Sequence, residues 1–159
     1  MGYDVHVVMT EGACRFVTPL TFETMSCGKV VTDVFDPRND TPTEHIELGQ
    51  TADLVLIAPA TANTIAKLAH SIADGPVTMA TKSHLRNGRT VLIAISTNDA
   101  LMGAAENIGK LLCRKNYYFV PFKQDEPYGK PTSIVADFQQ IPDAIDAALS
   151  GSQLQPILL

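Results

Sequence analysis

The sequence predicts an α/β domain built on a parallel sheet, and three observations carry that prediction. Apolar runs at residues 5–9, 54–58 and 91–95 each lead straight into small or polar residues and then helical patterning. Strands separated by helices imply βαβ units with right-handed crossovers. Residues 54–64, Leu-Val-Leu-Ile-Ala-Pro-Ala-Thr-Ala-Asn-Thr, are the clearest case. A run apolar enough for a strand buried on both faces passes there without a linker into a helix start. Finally, the helix-start signals between the runs are explicit, with Ser/Thr-type caps followed by proline at the first helical position.

Taken in order, the chain opens abruptly. Met1-Gly2-Tyr3-Asp4 runs at once into the first apolar stretch, and Gly2 resembles the glycine that ends a helix before a strand. A sheet of this kind ordinarily opens with a strand, a small-residue phosphate loop and a helix. Met1 is therefore read as an internal methionine, and the chain as a single domain truncated by one βα unit, about 30 to 40 residues. His6 alternates within the first strand and is read as structural. Residues 30–35 suggest a further strand. Thr41-Pro42-Thr43-Glu44 is a capping box that starts a helix carrying His45, Ile46 and Leu48. After the 54–58 strand Pro59 stops the ladder, because it offers no N–H. Ile65, Leu68, Ala69 and Ile72 recur at helical spacing, which places Asn63 and Thr64 at that helix's beginning.

Asp74-Gly75-Pro76 reads as a cap followed by a tolerated proline. Residues 77–84, 104–114 and 141–149 complete the helices, and Asn87-Gly88 is the turn before the 91–95 strand. Residues 117–121 are an aromatic-rich strand ending in a proline. Residues 122–131 read as a polar segment between prolines, suited to a flap or to a solvated loop. The apolar end at 154–159 favours docking on the body or on a partner over a free tail.

Composition excludes several classes. At 159 residues the chain is one domain, and 45% apolar with 18% charged residues describes an ordinary globular protein. A net charge of -5 argues against binding a phosphate backbone, which requires clustered Lys and Arg. Cys14, Cys27 and Cys113 are odd in number and form neither a C-x-x-C pair nor a zinc site. No metal is expected, and reduced thiols suggest a cytoplasmic protein. No apolar run approaches the ~20 residues that span a bilayer.

The chemistry-bearing residues gather in loops at the presumed carboxyl ends of strands, where open α/β sheets bind ligands. No G-x-G-x-x-G, Walker loop or G-x-S-x-G elbow occurs. Instead three loops are rich in hydroxyls and amides: residues 10–13 with Thr10, residues 59–64 with Pro59, Ala60, Thr61, Asn63 and Thr64, and residues 96–99 with Ser96, Thr97 and Asn98. Singly, Thr10, Thr61, Thr97 and Asn98 are explained as helix caps. As a set with little charge they suit a neutral cofactor surface held by hydrogen bonds, such as a flavin. His45 sits beside Glu44 and Glu47, carboxylates that favour its protonated form, or else it simply faces solvent. His70 and His84 lie near helix C-termini, where the dipole explains them. Lys123 and Lys130 in the 122–131 segment can attract an anionic substrate.

Ala58-Pro59-Ala60-Thr61-Ala62-Asn63-Thr64 together with Ile72-Ala73-Asp74 resembles the flavoprotein family of homo-oligomeric flavin-containing cysteine decarboxylases. That family includes phosphopantothenoylcysteine decarboxylase and the lantibiotic decarboxylases. The resemblance covers residues 5 to about 114. It implies a Rossmann-like (flavodoxin-like) three-layer sandwich, FMN contacted by the small-residue motif, and trimers with the flavin near an interface between protomers. It extends the cofactor set to Asp74, and it gives His45, in Glu44-His45-Ile46-Glu47-Leu48-Gly49, the place of a catalytic histidine.

The second half resembles the B subunits of dipicolinate synthases. The segments are Pro76-Val77-Thr78-Met79-Ala80, His84-Leu85-Arg86-Asn87-Gly88-Arg89, Ile95-Ser96-Thr97-Asn98-Asp99-Ala100-Leu101, residues 120–127 and residues 153–158. This resemblance implies oxidation of dihydrodipicolinate to dipicolinate in sporulation, with a nicotinamide (NAD(P)) domain brought by a separate A subunit. The decarboxylases' Pro-x-Met-Asn-x-x-Met motif is replaced here by residues 96–101, which keep only Asn98. Nor do residues 121–131 contain their clamp cysteine. An oxidoreductase subunit with Asn98 at the reactive edge is the leading expectation. A decarboxylase of a cysteinyl compound using His45 and Asn98, and a non-catalytic scaffold subunit, are the alternatives.

Overall fold

The structure, a computed structural model, describes residues 2–33 and 49–159. The capped helix expected near Thr41, with Glu44, His45 and Glu47, lies outside the described residues.

The sheet is organised around its most apolar strand. Strand β2, Thr90–Thr97, follows β1, Leu54–Ala60, in chain order, and its Val91 to Ile95 stretch is fully buried on both faces. The two strands run parallel, with Leu54 opposite Thr90 and Ile57 opposite Ile93. The register slips before Ala60 meets Ile95, over the Ala58–Pro59 step, whose peptide bond is cis. Strand β3, Tyr117–Phe119, joins β2 in parallel across Val91 to Ile93. The central β1–β2–β3 segment is therefore the parallel sheet that the sequence predicts. The opposite edge of β1 meets no strand among the described residues.

The polar segment after β3 differs from the expected loop. Strands β4, Phe122–Glu126, and β5, Lys130–Ala136, form an antiparallel hairpin, and β5 pairs with the end of β2 at Ser96–Val135 and Thr97–Ile134. The physical reason is length. β3 covers only the first half of β2, so the ladder groups near Ser96 and Thr97 require another strand. The first apolar run departs further from expectation. Residues 5–9 form no strand and meet residues 30–31 in a single parallel bridge, Val8 to Val31. His6, expected inside that strand, is exposed and lies 3.5 Å from Asp4.

The helices take their ends from the caps in the sequence. Helix α1, Glu11–Cys14, and α2, Pro19–Ser26, bury no residue. Helix α3, Ala62–Ala69, is capped by Thr61 and buries Ile65, Leu68 and Ala69; it stops before Ile72, which is half exposed. Helix α4, Pro76–Arg86, begins at Gly75 rather than Asp74, with the Thr78 hydroxyl accepting the Gly75 N–H at 3.2 Å. Helix α5, Ala105–Leu112, packs on α3, and α6, Ile141–Leu149, packs on β2 through Ala144 and Ala148. Arg114, just past α5, donates to the Leu68 and Ala69 carbonyls at 3.2 and 2.7 Å and so closes the end of α3.

On β3 a side chain substitutes for a neighbouring strand. The Gln153 amide accepts the Phe119 N–H at 2.8 Å and donates to the Phe119 carbonyl at 2.7 Å. Beyond it the tail docks as expected: the Phe122 N–H donates to the Ile157 carbonyl and the Leu159 N–H to the Phe122 carbonyl, both at 3.0 Å. Gln153→Ala is expected to cost about 1 kcal/mol, the lower end for unsatisfied groups, because this edge is only part-buried. The urea midpoint measures it, and an unchanged midpoint would mean that water replaces the amide without loss.

His84 departs from the dipole explanation. It is fully buried in α4, with Nδ1 facing the Gly49 carbonyl at 3.1 Å and Nε2 facing the Thr90 carbonyl at 2.9 Å. Gly49 must be glycine there, since a Cβ would stand 2.7 Å from the Ser83 Cβ and 2.9 Å from the Ala80 carbonyl oxygen. A neutral imidazole has one N–H and can satisfy only one of the two carbonyls. Burial pushes the His84 pKa down; the two carbonyls and Asp53 oppose this and Arg89 adds to it. The unfolded chain therefore binds a proton near the ordinary histidine value, about 6.5, while the folded chain resists. Stability is full above that value and falls as pH drops through it toward the lowered folded pKa. Between pH 7.5 and 5.5 the urea midpoint of the wild type is expected to fall, and His84→Gln to flatten that dependence. Equal slopes in both proteins would sink the assignment.

Candidate functional site

Parallel pairing of β1 with β2 sets the turns that follow them side by side at one end of the sheet, because Ala60 lies opposite Ile95. In the first turn, Thr61 is extended and its Oγ1 accepts the Thr64 N–H at 3.4 Å, with the two hydroxyls 3.3 Å apart. Capping consumes Thr61 and leaves the N–H groups of Ala62 and Asn63 without an intrahelical acceptor. Asn63 is exposed, and its amide has no hydrogen-bond partner among the described residues. Pro59 is exposed beside this turn, while Ala60 is fully buried and anchors it.

The second turn is fastened to the hairpin. Ser96 and Thr97 end β2, and Thr97 Oγ1 accepts the Asp99 N–H at 3.3 Å. Thr132 Oγ1 donates to the Asn98 carbonyl at 2.6 Å, and Ser133 Oγ donates to Asn98 Oδ1 at 3.3 Å. Asn98 therefore presents its amide N–H groups outward. These two β5 hydroxyls are the residues that sequence reasoning missed. The only sequence signal for the strand that carries them is the short β-branched run Ile134-Val135 at its end, because Lys130-Pro131-Thr132-Ser133 before it shows no apolar–polar alternation.

Other expected site residues stand apart. Thr10 caps α1, accepting the Ala13 N–H at 3.1 Å, and no hydrogen bond among the described residues ties it to the other two turns. Asp74 pairs with Lys67 at 2.9 Å, more than a turn along α3 from Asn63, and that ammonium holds its carboxyl below the usual range. Lys130 is bound to Asp125 at 3.0 Å, with Glu126 at 4.0 Å, and these carboxylates raise its pKa. Lys123, at the base of the hairpin, is exposed. With the Gln140 amide and the Gln139 N–H, its charge helps hold the Asp137 carboxyl low. His45 lies outside the described residues. No described helix is long and apolar enough to cross a membrane.

An uncharged donor set on neighbouring β–α turns, without a glycine-rich cradle, agrees with what comparison with known proteins finds: residues 1–149 match the flavoprotein family. The chain belongs to the flavoprotein family. Within the family it is 48% identical over 107 residues to the dipicolinate synthase B subunit of Bacillus subtilis (strain 168), covering 67% of this chain and 54% of that protein. It is also 52% identical over 77 residues to the coenzyme A biosynthesis bifunctional protein CoaBC of the same organism, covering 48% of this chain and 19% of that protein. The chain thus spans about half the length of the first relative and about a fifth of the second.

Solved structures of family members place the fold. The dipicolinate synthase B subunit from Bacillus halodurans C superposes with a TM-score of 0.76 at 36% identity, covering 97% of this chain and 77% of that one. The FMN-dependent cysteine decarboxylase SpaF gives 0.69 at 31% identity, covering 91% and 77%. The flavodoxin-like architecture, a mostly parallel mixed sheet with flanking helices, is that of these flavoproteins.

Proposed function

We propose that the chain is an FMN-binding B subunit of a dipicolinate synthase, acting with an A subunit in the oxidation of dihydrodipicolinate to dipicolinate during sporulation. The observation that carries this reading is the pairing of two neighbouring turns that offer uncharged donors, the unengaged Asn63 amide and the outward N–H groups of Asn98. This donor set fits the edges of a flavin ring: it supplies hydrogen bonds, and neither turn carries a Lys or Arg side chain for a polyphosphate. Asn63, with the first N–H groups of α3 and the Thr64 hydroxyl, holds the cofactor beside Pro59 and Ala60, while Thr61, engaged as the cap, shapes the turn; Ser96 and Thr97 line its other side. Thr10 and Asp74 join only as outer contacts, since Thr10 is engaged as a cap and Asp74 with Lys67.

When bound, FMN supplies the two-electron acceptor that aromatisation of a dihydropyridine requires. The protein's share is positioning and charge compensation. Lys123 attracts one substrate carboxylate; Lys130 attracts the other once it is released from Asp125. Asn98 orients the ring; of the two hydrogens that aromatisation removes, one leaves as hydride to the two-electron acceptor and the other as a proton to His45. The A subunit supplies the nicotinamide domain, and the B chains assemble as trimers or multiples of them.

A second reading, decarboxylation of a cysteinyl substrate by His45 and Asn98, draws on the 52% identity with CoaBC over 77 residues. The deciding experiment is expression of the protein alone and with a nicotinamide-binding subunit. Flavin absorbance and turnover of dihydrodipicolinate, with no activity on pantothenoylcysteine compounds, are expected. Activity on the cysteinyl substrate would establish the second reading, and colourless protein that takes up no FMN would leave a scaffold role.

A further inference from the structure

At the other end of α3, its last turn, α4 and the start of β3 enclose a groove of about 250 Å³. Helix α3 runs antiparallel to the strands it connects, so this groove lies at the pole opposite the Asn63 and Asn98 turns. Its floor is apolar in effect. Leu68 is buried, Leu85 packs on the core, and the Tyr117 ring is 8% exposed with its hydroxyl bonded to Arg114. The two floor hydroxyls are spent inside α4: Thr81 Oγ1 donates to the Val77 carbonyl at 2.7 Å and Thr78 Oγ1 to the Gly75 carbonyl at 3.1 Å.

The rim is cationic. Lys82 and Arg86 are one turn apart on α4, both line the groove, and both are exposed. Neither has an anionic or carbonyl partner among the described residues. This separates them from most other described bases. Arg15, Lys67, Lys110 and Lys130 are held by carboxylates, and Arg89 and Arg114 by backbone carbonyls. Adjacent cations with no carboxylate partner among the described residues, in a chain with 17 acidic and 12 basic residues, are a localised positive site on an acidic protein. Ser71, at a left-handed φ of 58°, adds a rim hydroxyl that no side-chain bond engages among the described residues, and Ile72 adds an exposed apolar wall.

We propose that this groove is a second ligand site, separate from the flavin turns, for a small molecule with an apolar ring-sized body and a carboxylate head. The body lies on Leu68, Leu85 and Tyr117, and the carboxylate meets Arg86 and Lys82, where a charge-assisted pair is strongest. A volume of about 250 Å³ suits a single ring. It rests on no assumption about the reaction at the other pole.

Benzoate, with benzamide as its neutral counterpart, tests the site by methyl NMR on the full chain. Benzoate is expected to shift the methyl resonances of Leu68, Ile72 and Leu85, with benzamide at least about tenfold weaker. Lys82→Ala/Arg86→Ala is expected to lose benzoate binding by a similar factor while FMN uptake, read by absorbance, is unchanged. Equal binding of benzamide would overturn the anionic head. Absence of shifts, with sedimentation showing that Ile72→Glu dissociates an oligomer, would show that a second copy fills the groove and would overturn the site itself.

Discussion

Phe119→Ala is expected to lose about 3–5 kcal/mol of folding stability, the range for deleting a fully buried aromatic side chain. Phe119 is 1% exposed, ends the three-residue strand β3, and meets the Phe122 ring edge-on with centroids 6.4 Å apart. Its backbone is gripped by Gln153, so the surroundings cannot easily collapse into the space it leaves. The effect reaches the candidate site, because Phe122 opens the hairpin whose second strand fastens Asn98. Flavin uptake should therefore drop along with the urea midpoint, and Phe119→Leu should soften both. A loss under about 1 kcal/mol would mean that β3 contributes little to the cooperative core.

Asn63→Ala is expected to lower FMN retention at least about tenfold while leaving stability nearly unchanged. The side chain is exposed and bonds to nothing described, and alanine is the better helix former in the first turn of α3. Thr61→Ala is the contrast: it removes the cap of α3 and should cost about 1 kcal/mol whatever its effect on flavin. The ratio of flavin to protein absorbance after desalting, read beside the urea midpoint, separates the two variants. Full flavin occupancy together with a large stability loss in Asn63→Ala would make Asn63 a structural residue.

The parts of the fold written in local chemistry were legible in the sequence. Thr61 and Asn63 sit at a helix start because hydroxyl capping and helical spacing coincide there, and residues 54–60 and 90–97 pair as continuous apolar runs should. The hairpin escapes sequence reading because its strands carry charges and Pro131, and only tertiary pairing with β2 explains them. Residues 5–9 show the converse, an apolar run with strand composition that forms a single bridge. His84 looked like a dipole partner because sequence cannot reveal that Gly49 and Thr90 close over it. The two-turn site was readable as a set of residue types, but the tie from Thr132 and Ser133 to Asn98 spans more than 30 residues and has no local signature.

The outer edge of β1 bears on how the protein behaves in company. Among the described residues no strand pairs with that side of Leu54 to Ile57, whose amide and carbonyl groups are flanked by aliphatic side chains with no lysine among them; Pro59 guards only the far end. Such a margin is a template for strand addition. An extended segment that reaches it, whether from this polypeptide or another, would gain hydrogen bonds and apolar cover in one step. A segment lying along that margin would run toward the turn between β1 and α3 that carries Thr61 and Asn63.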